Sequence, residues 1–147
     1  MNQKSILPDA VAIIRGSELY PNLRGQVRFY KRISYVLVHA AIQGLPATDT
    51  GFFGFHIHAG SNCTGPDFAD TGSHYNPNNA AHPFHAGDLP PLIYCNGNAY
   101  MSVAINRFNI ADIFGRTVVI HSMPDDFRTQ PAGNAGTKIA CGVIRRI

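Results

Sequence analysis

Glutamate is almost missing from this 147-residue chain, with Glu18 alone beside eight aspartates, and lysine occurs three times against nine arginines. Both scarce residues are favoured on helix surfaces, so their rarity beside 14 Gly and 10 Pro argues against a helical bundle. Charge is sparse altogether. With 14% charged and 45% hydrophobic residues the chain is too apolar and too weakly charged to stay disordered. No apolar run approaches the roughly 18 residues of a membrane-spanning helix, so no membrane partner is expected. Met1 to Asp9 holds one positive charge and no apolar core, which does not read as a signal peptide. The expected location is therefore the cytoplasm, or the exterior if a leader has been removed. A formal charge of +3 without Lys/Arg blocks does not suggest nucleic acid. There is no internal repeat, low-complexity tract or linker, and the length suits one domain over residues 1–147 with one core.

What is present are short apolar stretches of period 2 divided by Gly, Pro and Asn, the pattern of an all-β chain. Ala10–Arg15, Gln26–Lys31, Tyr35–Ile42, Phe52–His58, Leu92–Tyr94, Ala99–Ile105, Thr117–His121 and Lys138–Ile144 predict about eight strands. Asn96-Gly97 marks a hairpin turn between the fifth and sixth of these. Residues 59–91 and 122–137 are polar, rich in Gly, Pro, Asp and Asn, and lack periodicity. Loops of that length in a compact domain are usually functional or disordered, and the first carries four potential metal ligands. That favours a loop ordered by metal.

Six of the seven histidines lie between His56 and His121. In His56-Ile57-His58, at a predicted strand end, residues two apart share a face, so both imidazoles can reach one ion while Ile57 faces the other way. His74, His82, His85 and Asp88 follow in the loop, and His121 ends another strand. A set rich in imidazole suits copper or zinc, and three His with one Asp suit tetrahedral zinc. Seven ligands exceed what one four-coordinate ion needs and fall one short of two. Two ions sharing one bridging imidazole would close that gap. The three cysteines allow one disulfide and one free thiol, with no zinc-finger spacing.

Five segments resemble the copper/zinc superoxide dismutases, in order and over essentially the whole chain. They are Gly54-Phe55-His56-Ile57-His58, Gly72-Ser73-His74-Tyr75-Asn76-Pro77, His85-Ala86-Gly87-Asp88-Leu89-Pro90, Gly115-Arg116-Thr117-Val118-Val119-Ile120-His121, and the run from Gly133-Asn134-Ala135-Gly136 through Lys138 and Cys141 to Ile144. The resemblance implies an eight-stranded Greek-key β-barrel or flattened sandwich with two long functional loops. It implies copper on His56, His58, His74 and His121, and zinc on His74, His82, His85 and Asp88, one of each ion per subunit. His74 would bridge the two and carry a proton to the forming peroxide. Asp125 would orient a copper-ligand and a zinc-ligand histidine, Cys63 and Cys141 would form a disulfide, and the short His58-to-Cys63 spacing is similar to the family's bacterial branch. The implied substrate is superoxide, converted to oxygen and hydrogen peroxide, with a homodimer possible. Cys95 matches nothing in the motif and reads as a free thiol; His39 reads as a structural histidine, and Arg145 and Arg146 as a solvated strand end.

Three departures stand out. Lys138 occupies the position of the family's active-site arginine, keeping the charge but losing the planar two-donor fork. His82 and His85 are only three residues apart, which shortens the zinc loop, and residues 122–137 offer few charges besides Arg128 to steer an anion. They lower the expected rate without removing a ligand, and they motivate an alternative: a copper- and zinc-binding protein of the same fold with little turnover.

Overall fold

A computed structural model describes residues 7–147. The reading of the chain's start as lacking a signal peptide rests mostly on residues outside these. Among the described residues nine strands form: β1 (Ala10–Gly16), β2 (Arg24–Lys31), β3 (Val36–Gln43), β4 (Phe52–Phe53), β5 (Phe55–His58), β6 (Leu92–Ile93), β7 (Asn98–Ile105), β8 (Thr117–His121) and β9 (Lys138–Arg146). Seven make one curled antiparallel sheet, a half-barrel with order β5-β8-β9-β1-β2-β3-β7, and β4 pairs with β6 separately. No helix among the described residues is long and apolar enough to cross a membrane.

Period-2 alternation places the core. Ala10, Ala12 and Ile14 of β1, Val27 and Phe29 of β2, and Val36, Val38, Ala40 and Ile42 of β3 are buried, and their neighbours face outward. Each fully buried Ile or Phe on this face contributes about 1.5–3 kcal/mol. The Asn96-Gly97 turn forms as expected, with both residues at positive φ (49° and 81°) and Cys95 and Asn98 exchanging backbone bonds across it. Leu92–Ile93, however, pairs with β4, so the turn joins β7 to a strand of the smaller sheet.

One expected strand divides. Phe52–His58 breaks at Gly54, whose N–H donates to Met123 O and whose carbonyl accepts from His121 N. A Cβ there would sit 2.9 Å from the Ala135 Cβ and 3.0 Å from Met123 O. The break sends Phe52–Phe53 to β6 and leaves Phe55–His58 to β8, giving nine strands in place of about eight. Two 3-10 helices, Pro66–Thr71 and Ile110–Ile113, also form where the sequence shows no period.

Candidate metal centre

The site is built on β5, which has a different neighbour on each edge. On one edge β8 pairs Phe55 with Ile120 and His58 with Thr117. On the other, the long loop returns twice: Tyr75 N donates to Ile57 O (2.8 Å) and Ile57 N to Gly87 O (2.8 Å). These bonds set His74 beside His58 and Asp88 beside His56. Gly87 is needed here, because a Cβ would lie 2.2 Å from Ile57 O. Phe55 and Ile57 belong to the hydrophobic core cluster, whereas His56 and His58 point into the metal groups. His121 ends β8 at a register shift, the kind of irregularity that re-aims a side chain next to a functional site.

The structure brings seven of the sequence-predicted ligands into two groups. One donor atom from each of His56, His58, His74 and His121 lies within 4.8 Å of the others, and the same holds for His74, His82, His85 and Asp88. All seven are buried. His74 belongs to both groups.

Hydrogen bonds fix which nitrogen of each ring faces inward. His56 Nε2 lies 2.8 Å from Asp125 Oδ2, and His82 Nε2 2.7 Å from Asp125 Oδ1. Both rings donate there, leaving each Nδ1 as a lone pair. These atoms and His74 Nε2 are buried with no hydrogen-bond partner. His82 Nδ1 is 3.1 Å from Asp88 Oδ2, but that contact lacks hydrogen-bond geometry, as expected of two groups aimed at a common point. His58 Nδ1 donates to Gly72 O (2.8 Å) and His121 Nδ1 reaches Gly136 O (3.4 Å). The two Nε2 atoms 3.1 Å apart are then lone pair against lone pair. Buried lone pairs facing each other are costly unless a cation lies between them.

The donor set fits metal in both groups. In the second, Asp88 Oδ2 lies 3.1 Å from His82 Nδ1 and 3.3 Å from His85 Nδ1, His85 Nδ1 lies 3.4 Å from His74 Nδ1, and His74 Nδ1 is 2.8 Å from the other carboxylate oxygen, Oδ1. A tetrahedral zinc with bonds of about 2.0–2.1 Å needs ligand atoms about 3.3–3.4 Å apart. Four imidazole nitrogens in the first group suit copper. The first group could hold copper and the second zinc.

Electrostatics favour the deprotonated ligands. Burial pushes His56 down, and pushes His58 well below the usual histidine value, with the neighbouring His121 and His74 adding to the effect. His121 falls to about 3 by burial and by proximity to His56 and His74. Burial also lowers His85. For Asp88 burial acts upward, but the His74 hydrogen bond and the neighbouring His82 and His85 hold it below the ordinary carboxylate value. Asp125 is held lower still, because its bonds from His56, His82 and Phe127 N outweigh burial.

These directions predict a pH dependence. A group whose folded value is depressed stabilises the fold above its unfolded value and loses that contribution as pH falls. For the imidazoles the window runs from the ordinary 6.5 down to about 3 for His121, with Asp88 and Asp125 adding to it below 3.8. The metal-free protein should therefore melt at lower temperature at pH 5 than at pH 7.5. Calorimetry giving an equal or higher Tm at pH 5 would contradict this.

Asp125 accepts from both groups, the orienting role expected for an acceptor behind ligating imidazoles. Gly133 makes room for it, since a Cβ there would fall 2.0 Å from Asp125 Oδ1. Other supporting residues were missed by sequence reasoning. Gln130 clamps the His82 backbone at both ends, accepting from its N–H (2.9 Å) and donating to its carbonyl (2.7 Å). Arg107 donates to Pro83 O (2.8 Å) and His85 O (3.3 Å). Arg116 lies 3.9 Å over the Tyr75 ring and donates to Ala59 O (3.1 Å), bracing the residues that follow His74 and His58. Only Arg116 stood inside a recognisable motif.

Cys63 and Cys141 are joined across 78 residues, with Cα atoms 5.7 Å apart, tying the long loop to β9. Cys95 is exposed and free. Cys63→Ser should destabilise the protein by about 2–5 kcal/mol in urea unfolding, and an unchanged midpoint would count against this. His39 Nδ1 pairs with Ser102 Oγ (2.7 Å) away from the cluster, and Arg145 and Arg146 are exposed. Lys138, paired with His121 at the start of β9, donates to Thr71 Oγ1 (2.7 Å), Gly72 O (3.0 Å) and Phe68 O (3.4 Å), and burial lowers its pKa.

The model of the family "Copper/zinc superoxide dismutase (SODC)" matches residues 23–144. The chain belongs to the copper/zinc superoxide dismutase family. Similar proteins include superoxide dismutase [Cu-Zn] 2 of Aquifex aeolicus, 36% identical over 136 residues, which span 82% of this chain and 78% of that protein. Superoxide dismutase [Cu-Zn] 3 of Arabidopsis thaliana is 36% identical over 152 residues, spanning 92% and 88%. The copper chaperone for superoxide dismutase of Rattus norvegicus is 31% identical over 159 residues, spanning 99% of this chain but 56% of that protein. The family's β-barrel agrees with the curled sheet, and its two metals with the two groups that meet at His74.

Proposed function

We propose that the protein is a copper/zinc superoxide dismutase, converting superoxide to oxygen and hydrogen peroxide. The observation that carries this reading is His74, one buried imidazole with a nitrogen turned toward each ligand group. A metal store needs no shared ligand.

His56, His58, His74 and His121 would hold copper, which when bound supplies the one-electron chemistry, taking an electron from one superoxide and returning it to the next. His74, His82, His85 and Asp88 would hold zinc, an ion without a redox step, so their part is to fix the loop and the shared ring. Asp125 keeps His56 and His82 in the tautomer that turns Nδ1 inward. His74 would hold a proton at Nε2, its buried unpartnered nitrogen, for transfer to the peroxide oxygen. Lys138 supplies the positive charge that draws the anion toward the first group. Superoxide is the substrate; a homodimer, and the lack of nucleic-acid or membrane partners, go with this reading as proposals.

Lys138→Glu should slow the copper- and zinc-loaded protein by at least about tenfold, and the native rate should fall with salt, since screening at 0.15 M acts over about 8 Å. The test is superoxide decay after pulse radiolysis, with metal content measured on the same samples. A fully loaded native protein without turnover would favour the metal-binding alternative. A Lys138→Glu rate equal to native at low salt would remove Lys138 from the substrate site.

A further inference from the structure

Lys138 is not a free-ranging cation. Its ammonium crosses from the start of β9 to the C-terminal end of the 3-10 helix Pro66–Thr71, where Thr71 is fully buried. The Thr71 hydroxyl donates to Phe68 O (2.8 Å), which leaves its lone pairs for Lys138 Nζ at 2.7 Å. Gly72 O accepts from Lys138 Nζ (3.0 Å) and also from His58 Nδ1 (2.8 Å), so the cation and a residue of the first metal group share one acceptor.

We propose that Thr71 is a positioning residue for the dismutase reaction, converting Lys138 from a flexible point charge into a fixed donor aimed at a small anion. An ammonium has three protons and no lone pair. Two are taken by Thr71 Oγ1 and Gly72 O. The third donates to Phe68 O at 3.4 Å, the longest of the three contacts, on a carbonyl that also accepts from the Thr71 hydroxyl. Thr71 thus accepts one Lys138 proton and shares with Lys138 the carbonyl that accepts another. That third N–H is the one an arriving anion can draw away from Phe68 O, and the two shorter bonds hold the ammonium in place while it does so. Arginine gains such direction from its rigid planar fork; here lysine gains it from a buried hydroxyl. This inference rests on reading Lys138 as the group that attracts superoxide.

The native protein can be tested without turnover. In the zinc-loaded, copper-free protein, lysine-selective 1H–15N spectra should show the Lys138 ammonium with slowed proton exchange, unlike exposed Lys31. The chain's three lysines keep assignment simple. Thr71→Val removes the hydroxyl at nearly equal volume and should abolish that protection; Thr71→Ser should restore it. In the copper- and zinc-loaded protein, Thr71→Val should lower the second-order rate about three- to tenfold, a part of what a nearby charge contributes to encounter. Thr71→Ser should return the rate to within about twofold of native, and Thr71→Val should cost nothing further in a Lys138→Met background, the signature of two residues acting as one unit. Exchange at Lys138 as fast as at Lys31 in the native protein would overturn the proposal. So would an equal loss from Thr71→Val in both backgrounds, which assigns Thr71 to the loop alone. A native rate for Lys138→Met would remove the reading beneath it, whereas a slow Lys138→Met beside a native-rate Thr71→Val would remove the positioning role only.

Discussion

His121→Ala should lower superoxide dismutation at least about 100-fold while leaving the fold intact, since loss of even an outer partner of a metal ligand costs 10–100-fold. His121 sits at the β8 terminus, past the register shift, so its side chain carries little of the strand pairing. Its Nε2 faces His58 Nε2 at 3.1 Å, and the residue is 3% exposed. Truncation opens the first group on one side and leaves the rest of the barrel core untouched. The variant should unfold cooperatively near the native temperature and retain zinc, and its circular dichroism should match native. A copper-loaded variant with near-native turnover would remove His121 from the copper ligands.

Asp88→Ala should weaken zinc binding at least about 100-fold, because it removes the one carboxylate ligand and leaves three imidazole rings. The carboxylate does more than face a metal. Its Oδ2 accepts from His85 N at 3.0 Å and its Oδ1 meets His74 Nδ1 at 2.8 Å, so it also ties the short turn through His85 to the shared ring. Residues 59–91 should become more open to protease in the variant, and the first group should lose definition because His74 belongs to both. Zinc content and cleavage rate measure the two effects. Native zinc stoichiometry with native protease resistance would contradict the ligand assignment.

The candidate site was more legible in the sequence than its supports. His56 and His58 declare themselves through period 2, and His74, His82, His85, Asp88 and His121 by crowding, because ligands must keep their residue type wherever the backbone goes. Most of the strands follow from alternation, which the core enforces locally. Gly54 shows the limit: the chain breaks there because Met123 and Ala135, distant in sequence, approach its backbone. Gln130 and Arg107 act on backbone atoms 48 and 22–24 residues away, and such contacts leave no periodic trace. Lys138 could be placed by motif, but its Thr71 partner could not. Nothing in the pattern of residues 66–71 announces a 3-10 helix with Asp67 and Phe68 at positive φ.

A His74 imidazole shared between two metals is tested most directly by anomalous diffraction from crystals of the copper- and zinc-loaded protein, collected on both sides of each absorption edge. The expected result is a copper peak contacted by His56, His58, His74 and His121, and a separate zinc peak contacted by His74, His82, His85 and Asp88. A single metal position among the seven ligands, or two positions with His74 bound to only one, would contradict it.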